Sequence, residues 1–425
     1  MQSNIMKDLL RSIAEKGRSL FSGKTDDSDE FKNLSSLAQL LISNKGEATG
    51  IALADEFHCL YAQSSADDKL DFYQDLATNF GPDKALLDEK IALYNKNPDQ
   101  ALASLALHQA SEPLRQELFR RLNSAPQGTE KLVRMREDLL VLLKANKNFQ
   151  VIDMDFQHLF ISWFNRGFLT IEKIDWHTPA SVLDKIIKYE AVHEIHNWDE
   201  LRSRIDPLDR CCYAFFHPSL PKEPLIFVEV ALTDHISNSI STVLSDTRTT
   251  LALDDVNTAI FYSISNCQKG LKGISFGNFL IKQVVEELRT ELSAIETFVT
   301  LSPVPGFMKW LQGNEDYQDT FKAISAEQWW QQEETASKLE PSLTKALCTY
   351  LVKTNKDPVA RFHLGNGAKL ERVNWLADVS QGGINRAAGF MVNYQYVLDE
   401  IELNHEQYTT SGHVTASPQV LAHLK

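Results

Sequence analysis

Two side chains in this sequence lie where sheet proteins often place functional groups, namely Ser302 and His363. Ser302 ends a strand-like run and precedes Pro303, which favours an extended backbone at the serine, and Pro305 stiffens the same turn. His363 lies between a helix-like segment and a Gly-Asn-Gly turn. The serine can act at a strand exit or merely begin a turn, and the histidine can serve as an acid or bond to a turn carbonyl. Local sequence leaves both alternatives open.

A glycine-punctuated loop, residues 268–278, lies between a strand-like run and a helix-like run. The first turn of a helix leaves backbone N–H groups unpaired, and glycines let the backbone approach a ligand closely, so this order suits a phosphate. Lys269 and Lys272 add positive charge. Neither a Walker A sequence nor the pattern G-x-G-x-x-G is present, which disfavours ATP and NAD.

Two other interpretations of this loop stay open. Gly270, Gly273 and Gly277 could serve only a tight turn and close helix packing. The sequence 273–277 also matches the G-x-S-x-G elbow that exposes a hydrolase nucleophile, here Ser275. An elbow serine directly follows its strand, however, whereas a polar stretch separates Ser275 from the preceding strand-like run.

The remaining histidines give weak signals. His193 and His196 do not have the H-E-x-x-H spacing and no third ligand is evident, so we expect structural histidines and no metal site. His217, in a proline-stiffened loop, favours a structural role as well. The five cysteines form no C-x-x-C pair, which suits a reducing compartment.

Composition limits the functional class. A formal charge of −14 without a Lys/Arg cluster argues against nucleic acid as a partner, although a small polyanion could still bind through local donors. No apolar run is long enough to predict a membrane span. The N-terminus lacks the apolar segment of a secretory signal, and its basic residues fit a plain surface helix or a weak organelle-targeting helix.

Periodicity divides the chain into two predicted domains, 1–160 and 161–425. The first is predicted to be all-helical because apolar residues recur at three- and four-residue spacing over 37–42, 51–60, 70–80, 84–94, 112–122 and 130–143, with another helix opening at Pro98-Asp99. The second alternates strands and helices, with strands at 225–231, 257–265, 297–301 and 391–398. The fold class predicted is therefore α+β.

Ten segments together resemble the malonyl-CoA decarboxylase family. In chain order they are 163–169 (WFNRGFL), 189–193 (YEAVH), 215–218 (FFHP), 223–225 (EPL), 261–265 (FYSIS), 268–278, 301–307 (LSPVPGF), 363–368 (HLGNGA), 374–378 (NWLAD) and 393–396 (NYQY). So many ordered matches make the resemblance specific over 163–396, whereas the helical part matches mainly in character.

The resemblance implies a helical N-terminal bundle that mediates oligomerisation, to a tetramer, and a catalytic domain similar to the GNAT acetyltransferase fold. It implies decarboxylation of malonyl-CoA to acetyl-CoA without metal or organic cofactor, in a cytoplasmic enzyme or, alternatively, one of the mitochondrial matrix. Ser302 and His363 match the catalytic residues of the family, and Tyr396 matches a tyrosine near the site. The acyl-CoA loop of the family matches Lys272, Gly273, Ile274, Ser275, Phe276, Gly277 and Asn278. Animal members have glutamate where this chain has Ser275.

Three other functions remain as alternatives at this stage. They are a non-catalytic acyl-CoA sensor or scaffold, a CoA-dependent acyltransferase of the same fold, and a thioesterase that acts through Ser275. Binding without turnover, consumption of acetyl-CoA by an amine, and release of free CoA would respectively reveal them.

Overall fold

The computed structural model describes residues 33–43, 46–245, 247–274, 280–325 and 328–425. The chain divides into two compact units. The first consists of Met1–Leu169, His217–Pro221 and Gln268–Phe276, and the second of Thr170–Phe216, Lys222–Cys267 and Gly277–Lys425. Within the described residues, we find no helix that combines the length and the apolar character needed to cross a membrane.

The first unit is built from α-helices. They are α1 (Leu34–Ser43), α2 (Glu47–Gln63), α3 (Ala66–Asn79), α4 (Lys84–Lys96), α5 (Ala101–Ser111), α6 (Leu114–Asn123), α7 (Gly128–Leu142) and α8 (Gln150–Trp163). Short 3-10 turns occupy Lys147–Phe149, Arg166–Phe168 and Lys269–Leu271. Polar caps begin several helices: Ser65 and Asp68 form a capping box on α3, and Asp83 caps α4.

Aromatic residues fill the core of this unit. Phe57, Phe72, Tyr73, Phe119 and Phe156 are all buried, and the rings of Phe119 and Phe156 stack with centroids 4.1 Å apart. The helical periodicity of the sequence therefore buries one face of each of the helices that carry these rings, as predicted.

The second unit contains a mixed sheet. Its strands are β1 (Thr170–Ile174), β2 (Arg210–Phe216), β3 (Ile226–Thr233), β4 (Thr258–Asn266), β5 (Thr297–Thr300), β6 (Ser302–Pro303), β7 (Lys369–Asn374) and β8 (Met391–Gln395). They pair in the order β1-β2-β3-β4-β5-β8-β6, and β7 also pairs with β8. All pairs are antiparallel except β4 and β5, which run parallel with Phe261 opposite Thr300.

Helices connect these strands or follow the last of them. They are α9 (Ala180–Tyr189), α10 (Trp198–Ile205), α11 (Ile240–Val243), α12 (Leu280–Glu291), α13 (Phe307–Gln312), α14 (Gln318–Ala323), α15 (Glu333–Thr349), α16 (Pro358–Gly365), α17 (Gln381–Ala387), α18 (Ile401–Ser411) and α19 (Pro418–Ala422). A π-helical turn, Tyr350–Thr354, follows α15, and 3-10 turns occupy Leu253–Asp255, Glu315–Tyr317, Trp329–Gln331 and Leu398–Glu400.

The α+β class predicted from the sequence is confirmed, with helices first and a mixed sheet after them. The four predicted strands correspond to β3, β4, β5 and β8. The prediction omitted β1, β2, β6 and β7. Strand β2 is buried on both faces and shows no alternation, and β7 carries three charged residues, so neither gives the period-two pattern of a half-buried strand.

Candidate active site

Ser302 is the first residue of β6 and follows the end of β5 after one intervening residue. It pairs with Val392 of β8, and only 5% of its surface is exposed. Its Oγ donates a hydrogen bond to Thr300 Oγ1 at 2.9 Å, and Thr300 Oγ1 also accepts the backbone N–H of Tyr394 at 3.1 Å. The hydroxyl of Ser302 is therefore held in one direction by the strand that precedes it.

His363 reaches the same point from the last turn of α16. Asp357 caps this helix through Oδ1, which accepts the N–H groups of Val359 and Ala360, and Pro358 occupies its first turn. The imidazole Nε2 lies 3.1 Å from Ser302 Oγ, although 61 positions separate the two residues in the chain. The fold thus brings together the two residues that the sequence singled out.

Tyr396 completes the arrangement. Its hydroxyl lies 2.9 Å from Nδ1 of His363, and the ring of Tyr394 stacks on the imidazole with centroids 4.9 Å apart. Within the described part of the chain, the Tyr396 hydroxyl has no other partner, so its hydrogen is satisfied only by donation to Nδ1. This assigns the histidine proton to Nε2, which donates to Ser302 Oγ while that hydroxyl donates onward to Thr300.

Burial makes His363 a neutral hydrogen-bond donor. The side chain is 2% exposed, and desolvation lowers its pKa from the ordinary 6.5 to about 3. Burial also raises the pKa of Tyr396 well above its usual range, so this hydroxyl stays protonated. The network differs from a catalytic triad with a carboxylate, because the partner of Nδ1 is an uncharged tyrosine.

Ser302 and His363 open onto a cavity of about 310 Å³. Most of its wall is apolar, and the described residues that line it include no lysine, arginine, aspartate or glutamate. The apolar lining residues are Val192, Ile226, Phe261, Ile264, Pro303, Pro358, Val359 and Phe362. An acyl group in this cavity would meet two aligned polar side chains in water-poor surroundings.

Buried polar and ionisable side chains position the segment that contributes Val192 to this wall. Glu190 Oε1 accepts the backbone N–H groups of Val192 and His193, at 2.9 and 2.8 Å. Arg204 donates to the carbonyl of His193 at 2.8 Å and pairs with Glu229 at 3.1 Å. Burial raises the pKa of Glu229 to about 8. The apolar wall therefore rests on a polar cluster behind it.

The described part of the glycine loop, residues 268–274, belongs to the first unit. Gly270 lies against α7: a Cβ there would be 2.0 Å from the carbonyl oxygen of Val133, and Arg136 donates to the Gly270 carbonyl at 2.7 Å. Gly273 has φ +80°, where L side chains are strained. Two of the three glycines thus serve close packing and a tight turn, as one of the sequence interpretations proposed.

The remaining loop residues divide into two groups. Lys272 is exposed and Ile274 is buried. The residues Ser275, Phe276, Gly277 and Asn278 lie outside the described residues.

His217 and His196 have local partners. His217 Nδ1 accepts the N–H of Ser219 at 3.1 Å, and its ring packs 4.9 Å from Phe164, which fits the structural role predicted. His196 lies on the surface beside Glu200. Among the described residues, no cluster of three or more His, Cys, Asp or Glu side chains could hold a metal ion.

Sequence reasoning missed Thr300, Tyr394 and Asp357. Thr300 and Tyr394 act through contacts between strands that are distant in the chain, so local patterns carry no signal for them. Asp357-Pro358 has the residues preferred at a helix N-cap and first turn, and this signal could have been found.

Comparison with known proteins decides the family. Residues 167–425 match the model of the malonyl-CoA decarboxylase C-terminal domain, and residues 80–164 match that of the N-terminal domain. The chain belongs to the malonyl-CoA decarboxylase family. The mitochondrial malonyl-CoA decarboxylase of Anser anser anser is 36% identical over 393 residues, which cover 82% of this chain and 78% of the relative. The Mus musculus protein of the same name is also 36% identical, over 394 residues that cover 82% of this chain and 80% of the relative.

Solved structures of this family are similar over most of the chain. The malonyl-CoA decarboxylase of Rhodopseudomonas palustris has a TM-score of 0.88 and 48% identity, covering 91% of this chain and 98% of that one. That of Cupriavidus metallidurans has a TM-score of 0.73 and 33% identity, covering 92% and 98%. Both malonyl-CoA decarboxylase structures span the helical part as well as the sheet.

Proposed function

We propose that this chain decarboxylates malonyl-CoA to acetyl-CoA and CO₂. The observation that carries the proposal is the Ser302–His363–Tyr396 network in a member of the malonyl-CoA decarboxylase family, facing a cavity whose described lining residues carry no charge. The proposed catalytic residues are Ser302 and His363, and Tyr396 orients the imidazole.

The reaction breaks the bond between the carboxylate carbon and C2 of the malonyl group. Its electron pair moves toward the thioester carbonyl, CO₂ leaves, and an enolate forms. His363 Nε2–H and the Ser302 hydroxyl both line the cavity, and their polar atoms lie 3.1 Å apart. When they turn from Ser302 Oγ and Thr300 Oγ1, which they otherwise bond, they can donate to the oxyanion and stabilise it. A donor of this kind is worth about 2.7–4 kcal/mol in comparable sites.

Protonation of C2 then gives acetyl-CoA, and one proton is consumed from solvent in each turnover. His363 is the stronger candidate for the donor. As the neutral imidazole passes its Nε2–H to C2, Nδ1 takes up the proton of the Tyr396 hydroxyl, and solvent then returns a proton to Tyr396. The apolar wall favours the first step, because the carboxylate loses its charge as CO₂ departs, and the described lining residues include no cation that would stabilise the ground state.

We propose that the segment from Lys272 to Asn278 binds the pyrophosphate of CoA. Support comes from its place between β4 and α12 and from the exposure of Lys272. In the same proposal, residues 1–160 form an oligomerisation domain of a cytoplasmic homotetramer, and 161–425 hold the catalytic site. Light scattering during size-exclusion chromatography measures the subunit number.

A direct assay tests the function. Purified protein is incubated with malonyl-CoA, and acetyl-CoA, CO₂ and free CoA are quantified together. We expect equal amounts of acetyl-CoA and CO₂. Folded protein without turnover would sink the proposal and favour an acyl-CoA sensor. Release of free CoA by the wild type, absent in the Ser275→Ala variant, would favour a thioesterase.

A further inference from the structure

Asp357 is a fully buried carboxylate whose two oxygens bind different segments of the second unit. Only 1% of the residue is exposed. Oδ1 accepts the N–H groups of Val359 and Ala360, at 2.9 and 3.1 Å, and so caps the helix that carries His363. Oδ2 accepts the N–H of Gly306 at 3.0 Å. One side chain therefore holds the start of α16 against another part of the chain.

Gly306 ends the turn that begins at Ser302. Between Ser302 and Gly306 the turn contains Pro303 and Pro305, which restrict its backbone. A Cβ on Gly306 would lie 2.2 Å from the Tyr350 hydroxyl and 3.2 Å from Asp357 Oδ2. The Tyr350 hydroxyl also lies 3.5 Å from Asp357 Oδ2. Tyr350, in the π-helical turn, therefore packs closely against the contact between Gly306 and Asp357 as well.

The turn from Ser302 to Gly306 is stiffened by two prolines and held at Gly306 by Asp357, so Ser302 can move little toward or away from His363. On the other side, six positions of capped helix separate Asp357 from His363. Pro358 and Val359, which adjoin the carboxylate in sequence, line the cavity themselves. The separation of 3.1 Å between Ser302 Oγ and His363 Nε2 is consequently tied to the position of this carboxylate.

We propose that Asp357 is a positioning residue that sets the Ser302–His363 geometry by holding the proline turn against the helix of His363. The inference rests on the proposed function for its kinetic consequence only. A displacement of about 1 Å between reacting groups can cost up to about 10²-fold in rate, so a small shift of the turn would be visible in kcat.

The test separates capping from positioning. Serine is a good N-cap but is too short to reach Gly306, so Asp357→Ser keeps the helix cap and removes the second contact. Asp357→Asn has nearly the same shape, but both ends of the side chain face backbone N–H donors. The amide N–H₂ must therefore face either Gly306 or the N–H groups of Val359 and Ala360, and that contact is lost. We expect kcat to fall about tenfold in both variants, with KM changed less than threefold.

The matched control is Asp83→Ser. Asp83 caps α4 through the same pattern, because its Oδ1 accepts the N–H groups of Ala85 and Leu86, but it is exposed and lies in the first unit. We expect an unchanged kcat. Wild-type kcat in the folded Asp357 variants, or an equal loss in the control, would overturn the inference.

A second readout does not depend on turnover. In protein labelled with ¹⁵N-histidine, the His363 ring nitrogens, assigned by their loss in His363→Asn, report the Nε2–H tautomer and its bond to Ser302. We expect the Asp357 variants to shift these signals and Asp83→Ser to leave them unchanged. Unshifted signals would refute positioning even if the wild type decarboxylated nothing, which keeps the two proposals separable.

Discussion

The Ser302–His363 site presents buried side chains, whereas the described part of the glycine loop, the proposed CoA-binding segment, presents backbone and two exposed lysines, Lys269 and Lys272. In the site, Ser302, His363 and Tyr396 are each at most 5% exposed and bonded to one another. In the described part of the loop, the fixed features are the carbonyl of Gly270, which accepts a bond from Arg136, and the left-handed backbone of Gly273.

This difference predicts which kinetic constant each region controls. A side-chain network aligned before substrate arrives acts on the transition state, so damage to it lowers kcat. A loop that holds a distant part of the substrate equally in the ground and transition states acts mainly on KM. The predictions below test this division.

The largest effect is expected from the catalytic pair. His363→Asn and Ser302→Ala each remove a donor from the cavity, and kcat should fall about 10²-fold or more. Steady-state assays with malonyl-CoA measure this. His235→Asn, which changes a surface histidine with 73% of its side chain exposed, is the control. Wild-type rates in both site variants would overturn their assignment.

The second prediction concerns stability against acid. Between about pH 6.5 and pH 3 the unfolded chain binds a proton at residue 363 that the folded chain excludes, because burial lowers the folded pKa to about 3. The free energy of unfolding should therefore fall as pH is lowered, by up to about 1.4 kcal/mol per pH unit from this group.

Urea unfolding at several pH values between 4.5 and 7.5 measures that slope. His363→Asn should show a shallower dependence than the wild type, although His58 and His193, whose pKa values burial also lowers to about 4, still contribute in both proteins. Identical slopes would mean that His363 is accessible to protons in the folded state.

A smaller loss is expected from Tyr396→Phe. The change removes the hydroxyl that donates to Nδ1, so the imidazole loses the bond that fixes its tautomer while the ring packing is kept. We expect kcat to fall about five- to tenfold, with little change in KM. Tyr94→Phe in α4 is a control in the first unit. A loss confined to KM would place Tyr396 in binding instead.

The smallest effect is expected in the loop. Gly270→Ala places a methyl group against the Val133 carbonyl, so the loop must move away from α7. We expect KM for malonyl-CoA to rise about threefold with kcat unchanged. Gly81→Ala, where a Cβ meets nothing within 4 Å, is the matched control. A fall in kcat at constant KM would erase the distinction between the two regions.

Much of the fold could be predicted because its signals are local. Apolar spacing identified α1 to α4, α6 and α7, and Pro98-Asp99 indicated α5, whereas α8 was expected only as part of an all-helical domain. Runs of β-branched or aromatic residues identified β3, β4, β5 and β8. Strand β2 was missed because a fully buried strand shows no alternation of apolar and polar residues. For β7, the charged residues are tolerated because most of its side chains are only half-buried.

The candidate site was less predictable from residue patterns. Local sequence left Ser302 and His363 with open alternatives, and only the family resemblance paired them. Their contact depends on β8 and α16, which follow much later in the chain. Thr300, which accepts the Ser302 hydroxyl, looked like any strand residue, because its role exists only in three dimensions.

The parallel pairing of β4 and β5 bears on how the protein is made. β5 has four residues, and its neighbours in the sheet are β4, more than 30 positions earlier, and β8, whose Gln395 pairs with Val299. Pairings so distant in sequence form slowly, and a ribosome releases the N-terminal helices long before residue 395. We therefore expect nascent chains to gain helical structure first and enzymatic competence only when synthesis is nearly complete.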